Sequence, residues 1–143
     1  MRNYLILPEP ASTEELGCWS GVTNEFTQVL GYTNFGNFFL KNPGTDQIAI
    51  LYTIEPEVVP TNFTDLNELI EALLNDKDIE AQLLRSSDTA ILIKRLGNLL
   101  DEEVFFPEPY PFLGGTGELE SYSKGNVWVF ADLVGQSQGV GSE

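Results

Sequence analysis

The sequence predicts an α+β fold, an antiparallel β-sheet packed against several α-helices in a single compact domain, and three observations lead there. Two β-rich runs, Phe35 to Leu40 and Gln47 to Thr53, flank Asn42-Pro43-Gly44-Thr45, whose Pro-Gly pair suits a tight hairpin turn. Helical periodicity then fills the chain from Asp65 to Gly97, and aromatic and β-branched runs return after it. Strands, then helices, then strands are the order of an α+β domain. The 143 residues amount to one domain, a length that buries roughly two-thirds of its unfolded surface.

Residues 1–17, with Pro8, Pro10 and Gly17 among scattered acids, read as an N-terminal arm. The domain proper spans residues 18–136, and residues 137–143, rich in Gly, Ser and Gln, read as a flexible C-terminal tail. Val22, Phe26, Val29 and Leu30 have helical spacing, with Gly31 where such a helix would stop. After the hairpin, Glu55 to Val59 forms a short third strand, confined to a sheet edge by Pro56 and Pro60. Asp65 and Glu68 are spaced as a capping box, and Leu66, Leu69, Ile70, Leu73 and Leu74 mark one apolar helix face. A shorter helix follows around Ile79 to Leu84, and another runs from a Ser87 cap to Gly97. Val104-Phe105-Phe106 is a strand leading into a stiff loop with Pro107, Pro109, Pro111 and Gly114-Gly115. Val127 to Val134 reads as a strand from its β-branched and aromatic content; a helix competes, because the run is apolar at nearly every position.

Charge and composition bound the function. Seven Lys and Arg face 22 Asp and Glu, a net charge of -15, while 42% hydrophobic content places the acids on a folded surface. So few cations make a poor footprint for nucleic acid or an anionic membrane, and the field instead favours basic proteins. With no His, imidazole-based acid, base and nucleophile chemistry is excluded, and so is any His-containing zinc site. The single cysteine, Cys18, rules out an intramolecular disulfide. The early run Tyr4 to Leu7 is too short for a signal peptide, and no stretch reaches the ~20 apolar residues of a membrane span. A cytoplasmic protein is expected.

Motif by motif, catalytic and metal chemistry fall away. Asp76-x-Asp78-x-Glu80 opens like a calcium loop, but Ala81 stands where the loop needs Gly and Ser87 where it needs Glu. Gly114-Gly115-Thr116-Gly117 lacks the Lys of a phosphate loop and runs into Glu118 and Glu120, so a turn with positive φ is its reading. Lys94, Arg95 and Arg85 form a cationic cluster expected to pair with neighbouring acids. Cys18, with Glu14 and Glu15 nearby and no cation, reads as a small buried hydrophobe. No catalytic residue, metal or cofactor is expected; an acid-pair hydrolase or carbohydrate-binding domain is the alternative from another class.

What remains is an acidic surface in two blocks. One contains Glu55, Glu57 and the acids from Asp65 to Glu80; the other contains Asp101, Glu102, Glu103, Glu108, Glu118 and Glu120. Such a patch could occupy the basic groove of a nucleic-acid-binding protein by mimicking phosphate.

The order of motifs resembles the C-terminal domain of immunity proteins that protect bacteria against type VI secretion DNase effectors. The resemblance rests on Gly31-Tyr32-x-x-Phe35-Gly36-x-x-Phe39, the hairpin through Gln47 to Leu51, Leu96-Gly97-x-Leu99, Glu103-Val104-Phe105, Pro109 and Gly114-Gly115, and covers roughly residues 19–136. A looser similarity is to the superfamily of cell-wall-synthesis-regulator-like immunity proteins, also α+β and often acidic. The resemblance implies a non-enzymatic protein that binds and neutralises a cognate toxin, a basic nuclease. Charge clustering and loop placement, rather than the resemblance, select Glu102, Glu103, Glu108 and Tyr110 as first partner-binding candidates, with Glu55 and Glu57 second.

Overall fold

Residues 2–141 are described by the computed structural model. Strands β1 (Tyr4–Ser12), β2 (Gln28–Thr33), β3 (Phe38–Lys41), β4 (Ile48–Tyr52) and β5 (Glu57–Pro60) form an antiparallel sheet in chain order. The expected hairpin is β3–β4, with Phe38 opposite Leu51 and Lys41 opposite Ile48. Its turn is closed by Asn42, whose Oδ1 accepts from the Gly44 N–H at 2.9 Å.

Alternation in β3 and β4 sends apolar side chains to both faces. Phe38, Leu40, Ala49 and Leu51 enter one core, and Phe39, Ile48 and Ile50 enter another. A sheet buried on both sides reads as a continuous apolar run, which is why Ile48-Ala49-Ile50-Leu51 shows no polar gaps. Helix α1 (Leu66–Asn75) covers the second face with Leu69, Ile70 and Leu73, joined by Leu83 and Leu84 from a π-helical turn over Glu80–Leu84. Asp65 caps α1 as expected, accepting from the Asn67 and Glu68 N–H groups at 2.8 and 3.2 Å. The short α2 (Lys77–Ile79) links α1 to the π-helical turn and is capped by Asp76.

The first face is covered by α4 (Val127–Ser137) and by a 3-10 helix over Thr13–Gly21. Here the strand expected over Val127 to Val134 is corrected. Val127, Phe130, Ala131 and Val134 are buried while Val129 and Leu133 are exposed, a helical spacing of three and four. Asn126 starts the helix by accepting from the Trp128 and Val129 N–H groups at 2.9 and 3.0 Å. β-Branched content misled because burial against the sheet, not local propensity, selects the helix. The 3-10 helix docks through Trp19, whose indole N–H donates to the Ala131 carbonyl at 2.7 Å.

The helix expected from Val22 to Leu30 is likewise replaced: its second half is β2, with Val29 opposite Leu40. Gly31 serves there not as a helix stop but as a point of close approach, since a Cβ on it would lie 2.3 Å from the Leu5 carbonyl oxygen of β1. Residues 4–12, read from sequence as part of an arm, are the edge strand. Pro8 and Pro10 are tolerated because an edge needs no donor on its outer side. At the other end Ser137 closes α4, Val140 packs against the core, and the Gln138 side chain donates to the Thr53 carbonyl at 2.7 Å. Residues 142 and 143 of the expected tail lie outside the described residues.

Helix α3 (Ser86–Leu96) ends at Gly97 as the sequence indicates, and it packs on a second, two-stranded sheet of β6 (Glu103–Pro107) and β7 (Tyr122–Asn126). Phe35, Leu92, Phe105 and Tyr122 form that third core. Together these elements make the α+β architecture expected from the order of motifs.

Gly135, inside α4, tests the docking of the 3-10 helix. A Cβ there would lie 2.5 Å from Cys18 Sγ and 2.7 Å from Trp19 Nε1. Gly135→Ala gains about 1 kcal/mol of helix propensity but overpacks the contact by about 1–3 kcal/mol. The expected net result in urea unfolding is a lower midpoint with unchanged slope, whereas Gly21→Ala, with open space around its Cβ, stays near wild type.

Candidate functional site

The six candidate residues take different roles once folded. Glu103 is only partly exposed: its Oε1 accepts from the Leu100 N–H at 2.8 Å and lies 3.8 Å from Lys124 Nζ. It closes the turn before β6 and is paired with Lys124. Glu102 is exposed and left-handed at φ 67°. Its N–H donates to the Tyr32 hydroxyl at 2.9 Å, and its Oε1 accepts from the Trp128 indole at 3.2 Å. Glu108 is exposed and accepts from the Ser123 hydroxyl at 2.9 Å.

Tyr110 is half-buried, stacked on Phe112 at 5.3 Å and edge-on to Phe130 at 6.2 Å. Burial pushes its hydroxyl above the usual tyrosine range, and the nearby Glu108 charge adds to the effect. Tyr52 is raised the same way, by burial first and then by Glu57. Glu57 opens β5 opposite Tyr52 and borders a small hollow with Trp19 and Val140.

Glu55 is brought nearer the second acidic block. It lines a groove of about 450 Å³ together with Pro107 and Pro111, the two residues bounding the loop that carries Glu108 and Tyr110. That loop turns through Gly114, at φ 94°, as its glycines lead one to expect. Gly115 cannot carry a side chain there, because a Cβ would lie 1.9 Å from the Pro109 carbonyl oxygen.

Several acids of the first block serve local structure instead of a surface. Asp65 and Asp76 are helix caps, and Glu80 accepts from both the N–H and the hydroxyl of Ser86. No group of three metal-binding side chains occurs among the described residues. Cys18 is partly buried; burial raises its thiol, as do a hydrogen bond and the charge from Asp132. Such a thiol is a weak nucleophile.

Sequence reasoning passed over the groove's other wall. Arg85 stands between the π-helical turn and α3 in a left-handed conformation, φ 51° and ψ 50°. Its guanidinium carbon lies 3.9 Å from the centre of the Phe35 ring, its Nε donates to Asp88 at 2.9 Å, and its Nη1 donates to the Tyr122 hydroxyl at 3.1 Å. Of the cationic cluster, Arg85 pairs with an acid as expected, whereas Arg95 donates to the Leu119 and Tyr122 carbonyls. The cluster of cations was visible in the sequence; the aromatic seat from Phe35 and Tyr122 was not.

Exposed apolar side chains accompany two of the acids. Leu100 lies two residues before Glu102, and Val129 and Leu133 share the outer face of α4. The Val127 N–H of that helix donates to the Glu102 carbonyl at 2.7 Å. Phe112 and Leu113, also exposed, follow Glu108 in the loop.

No protein-family model matches the chain, and no curated protein matches it. In three dimensions it is similar to the crystal structure of Atu4351 from Agrobacterium tumefaciens, with a TM-score of 0.65 and 17% identity over 88% of this chain. The match spans 63% of that chain. At this identity the likeness shows a shared fold.

The Tyr110 environment can be checked directly. Glu108→Gln is expected to lower the ionisation midpoint of Tyr110, though not to the ordinary value because burial remains. Spectrophotometric titration against Tyr110→Phe isolates the signal. The sign for stability follows: the unfolded chain loses this proton first, so stability is retained below the ordinary tyrosine range and falls as pH rises through it.

Proposed function

We propose that the chain is an immunity protein of the type VI secretion kind, acting in the cytoplasm. It binds a cognate basic toxin domain, a nuclease, and neutralises it by covering the active site with an acidic surface. The observation that carries this reading is the pairing of exposed apolar side chains with exposed acids. Leu100 neighbours Asp101 and Glu102 in sequence, Val129 and Leu133 are exposed on α4, whose first residues bond Glu102, and Phe112 and Leu113 follow Glu108. Apolar anchors supply most of an interface's affinity, while complementary charge raises the association rate and selects the partner. The net charge of -15 supplies that field for any basic partner.

Among the described residues no helix is long and apolar enough to cross a membrane, which accords with an aqueous partner. The acid-pair hydrolase alternative needs two carboxylates facing one substrate, and the groove is lined by one, Glu55. Glu103, paired with Lys124, and Glu55, on the groove, are not among the residues proposed to meet the toxin; Glu102, Glu108 and Tyr110 are, with Glu57 second.

Co-expression with the protein encoded beside it tests the reading, with bacterial survival and co-purification scored together. Rescue with a stable complex is the expected outcome; a harmless neighbour that does not bind would remove the reading. Within the complex, Val129→Lys with Leu133→Lys is expected to weaken affinity by roughly a hundredfold or more, mainly through faster dissociation. Glu102→Lys with Glu108→Lys should slow association at low salt and flatten its salt dependence.

A further inference from the structure

The groove beside Glu55 has a chemistry that toxin occlusion does not use. Its polar elements have opposite sign: Arg85 and Glu55 both line it, with half-buried Tyr52 and Ile54 and exposed Pro111 as apolar wall. Arg85 is fixed in place by the Phe35 ring, Asp88 and the Tyr122 hydroxyl. A guanidinium has five N–H donors, and Arg85 commits only Nε and one N–H of Nη1 to described residues. The free end of the fork matches the two oxygens of a carboxylate. Asn37, also on the groove, accepts at its Oδ1 from the Thr53 N–H at 3.2 Å, which leaves its amide N–H₂ as a further donor.

Glu55 is exposed and has no ion-pair partner among the described residues. It therefore suits an ammonium group. The charge of the whole chain narrows the ligand further: at -15 the long-range field disfavours phosphates and dicarboxylates. A molecule with no net charge escapes that penalty while still offering a carboxylate to Arg85. The groove volume of about 450 Å³ falls in the range of small-molecule sites.

We propose that this groove binds a free apolar α-amino acid, its carboxylate on Arg85, its ammonium on Glu55 and its side chain against Tyr52, Ile54 and Pro111. The site is separate from the α4 surface assigned to the toxin, and its occupancy needs no toxin.

Titration of the isotopically labelled full chain with L-phenylalanine and L-leucine, followed by amide NMR shifts, tests the proposal. Saturable shifts at Glu55, Arg85 and Tyr122 with a Kd of about 1 mM or tighter are expected. L-Phenylalaninamide and N-acetyl-L-phenylalanine, each lacking one charge, should bind at least roughly tenfold more weakly. Glu55→Gln, at an exposed position, should leave the spectrum folded and erase the preference for the free amine. Arg85→Gly relieves the left-handed backbone and should remain folded while losing the carboxylate preference. No saturable shift at the groove, or equal binding of the capped analogues, would overturn the proposal.

Discussion

Strands β3 and β4 are apolar on both sides, and that single constraint arranges the rest of the molecule. A sheet with two apolar faces has no stable solution until both are covered. One face receives Leu69, Ile70 and Leu73 of α1 and the leucines of the π-helical turn; the other receives α4 and the 3-10 helix. The central layer is thereby fixed before any surface feature is considered. Among the sheet's five strands, β1 and β5 are left at the edges, where Pro8, Pro10 and Pro60 blunt further pairing.

Covering the face under α4 joins distant parts of the chain. Trp19 reaches Ala131, Asp132 Oδ1 accepts from the Cys18 N–H at 2.9 Å, and Tyr32 in β2 accepts from the Glu102 N–H ahead of β6. Through these contacts the small β6–β7 sheet is held at one end of the large one, and the groove forms where the two meet. Pro107 and Tyr122 come from the small sheet, Tyr52 from the large one, and Arg85 from the break between the covering helices. The site is thus a consequence of how two sheets of unequal size share one set of helices.

The sequence made part of this legible. The β3–β4 hairpin, α1 with its Asp65 cap, the end of α3 at Gly97 and strand β6 carry local signals, namely turn chemistry, capping and periodicity, that tertiary contacts did not override. β2 and α4 were misread for opposite reasons. In β2 the spacing of Val22, Phe26 and Val29 imitated a helix, although Val22 is exposed and only Phe26, ahead of the strand, and Val29, within it, are buried. In α4 the burial of Val127, Phe130, Ala131 and Val134 is helical, but exposed Val129 and Leu133 filled in the pattern until it looked like a strand. Among the candidate site residues, an exposed acid and a paired one look alike in sequence: Glu102 and Glu103 are adjacent, yet only the second meets Lys124. Long-range pairing is what separates them.

Four residues other than glycine stand at positive φ among the described residues; Asn24 and Asp46 are of the short polar type that tolerates it, whereas the other two carry long charged side chains. Arg85 and Glu102 both adopt left-handed conformations, at φ 51° and 67°, which cost about 1–2 kcal/mol each for a residue with a side chain. Glycine would remove that cost, and this chain uses glycine at positive φ at Gly36, Gly97 and Gly114. Contacts of the side chains offset it: Arg85 is held by Phe35, Asp88 and Tyr122, and Glu102 accepts from the Trp128 indole. Arg85 lies against the Phe35 ring, and Glu102 lies in the turn two residues after exposed Leu100, bonded to the first residues of α4. Strain of this kind persists where the surrounding structure over-determines the residue, and such places cluster at functional sites. Arg85 on the groove and Glu102 beside the start of α4 are thus the two places among the described residues where a long charged side chain is held in this conformation.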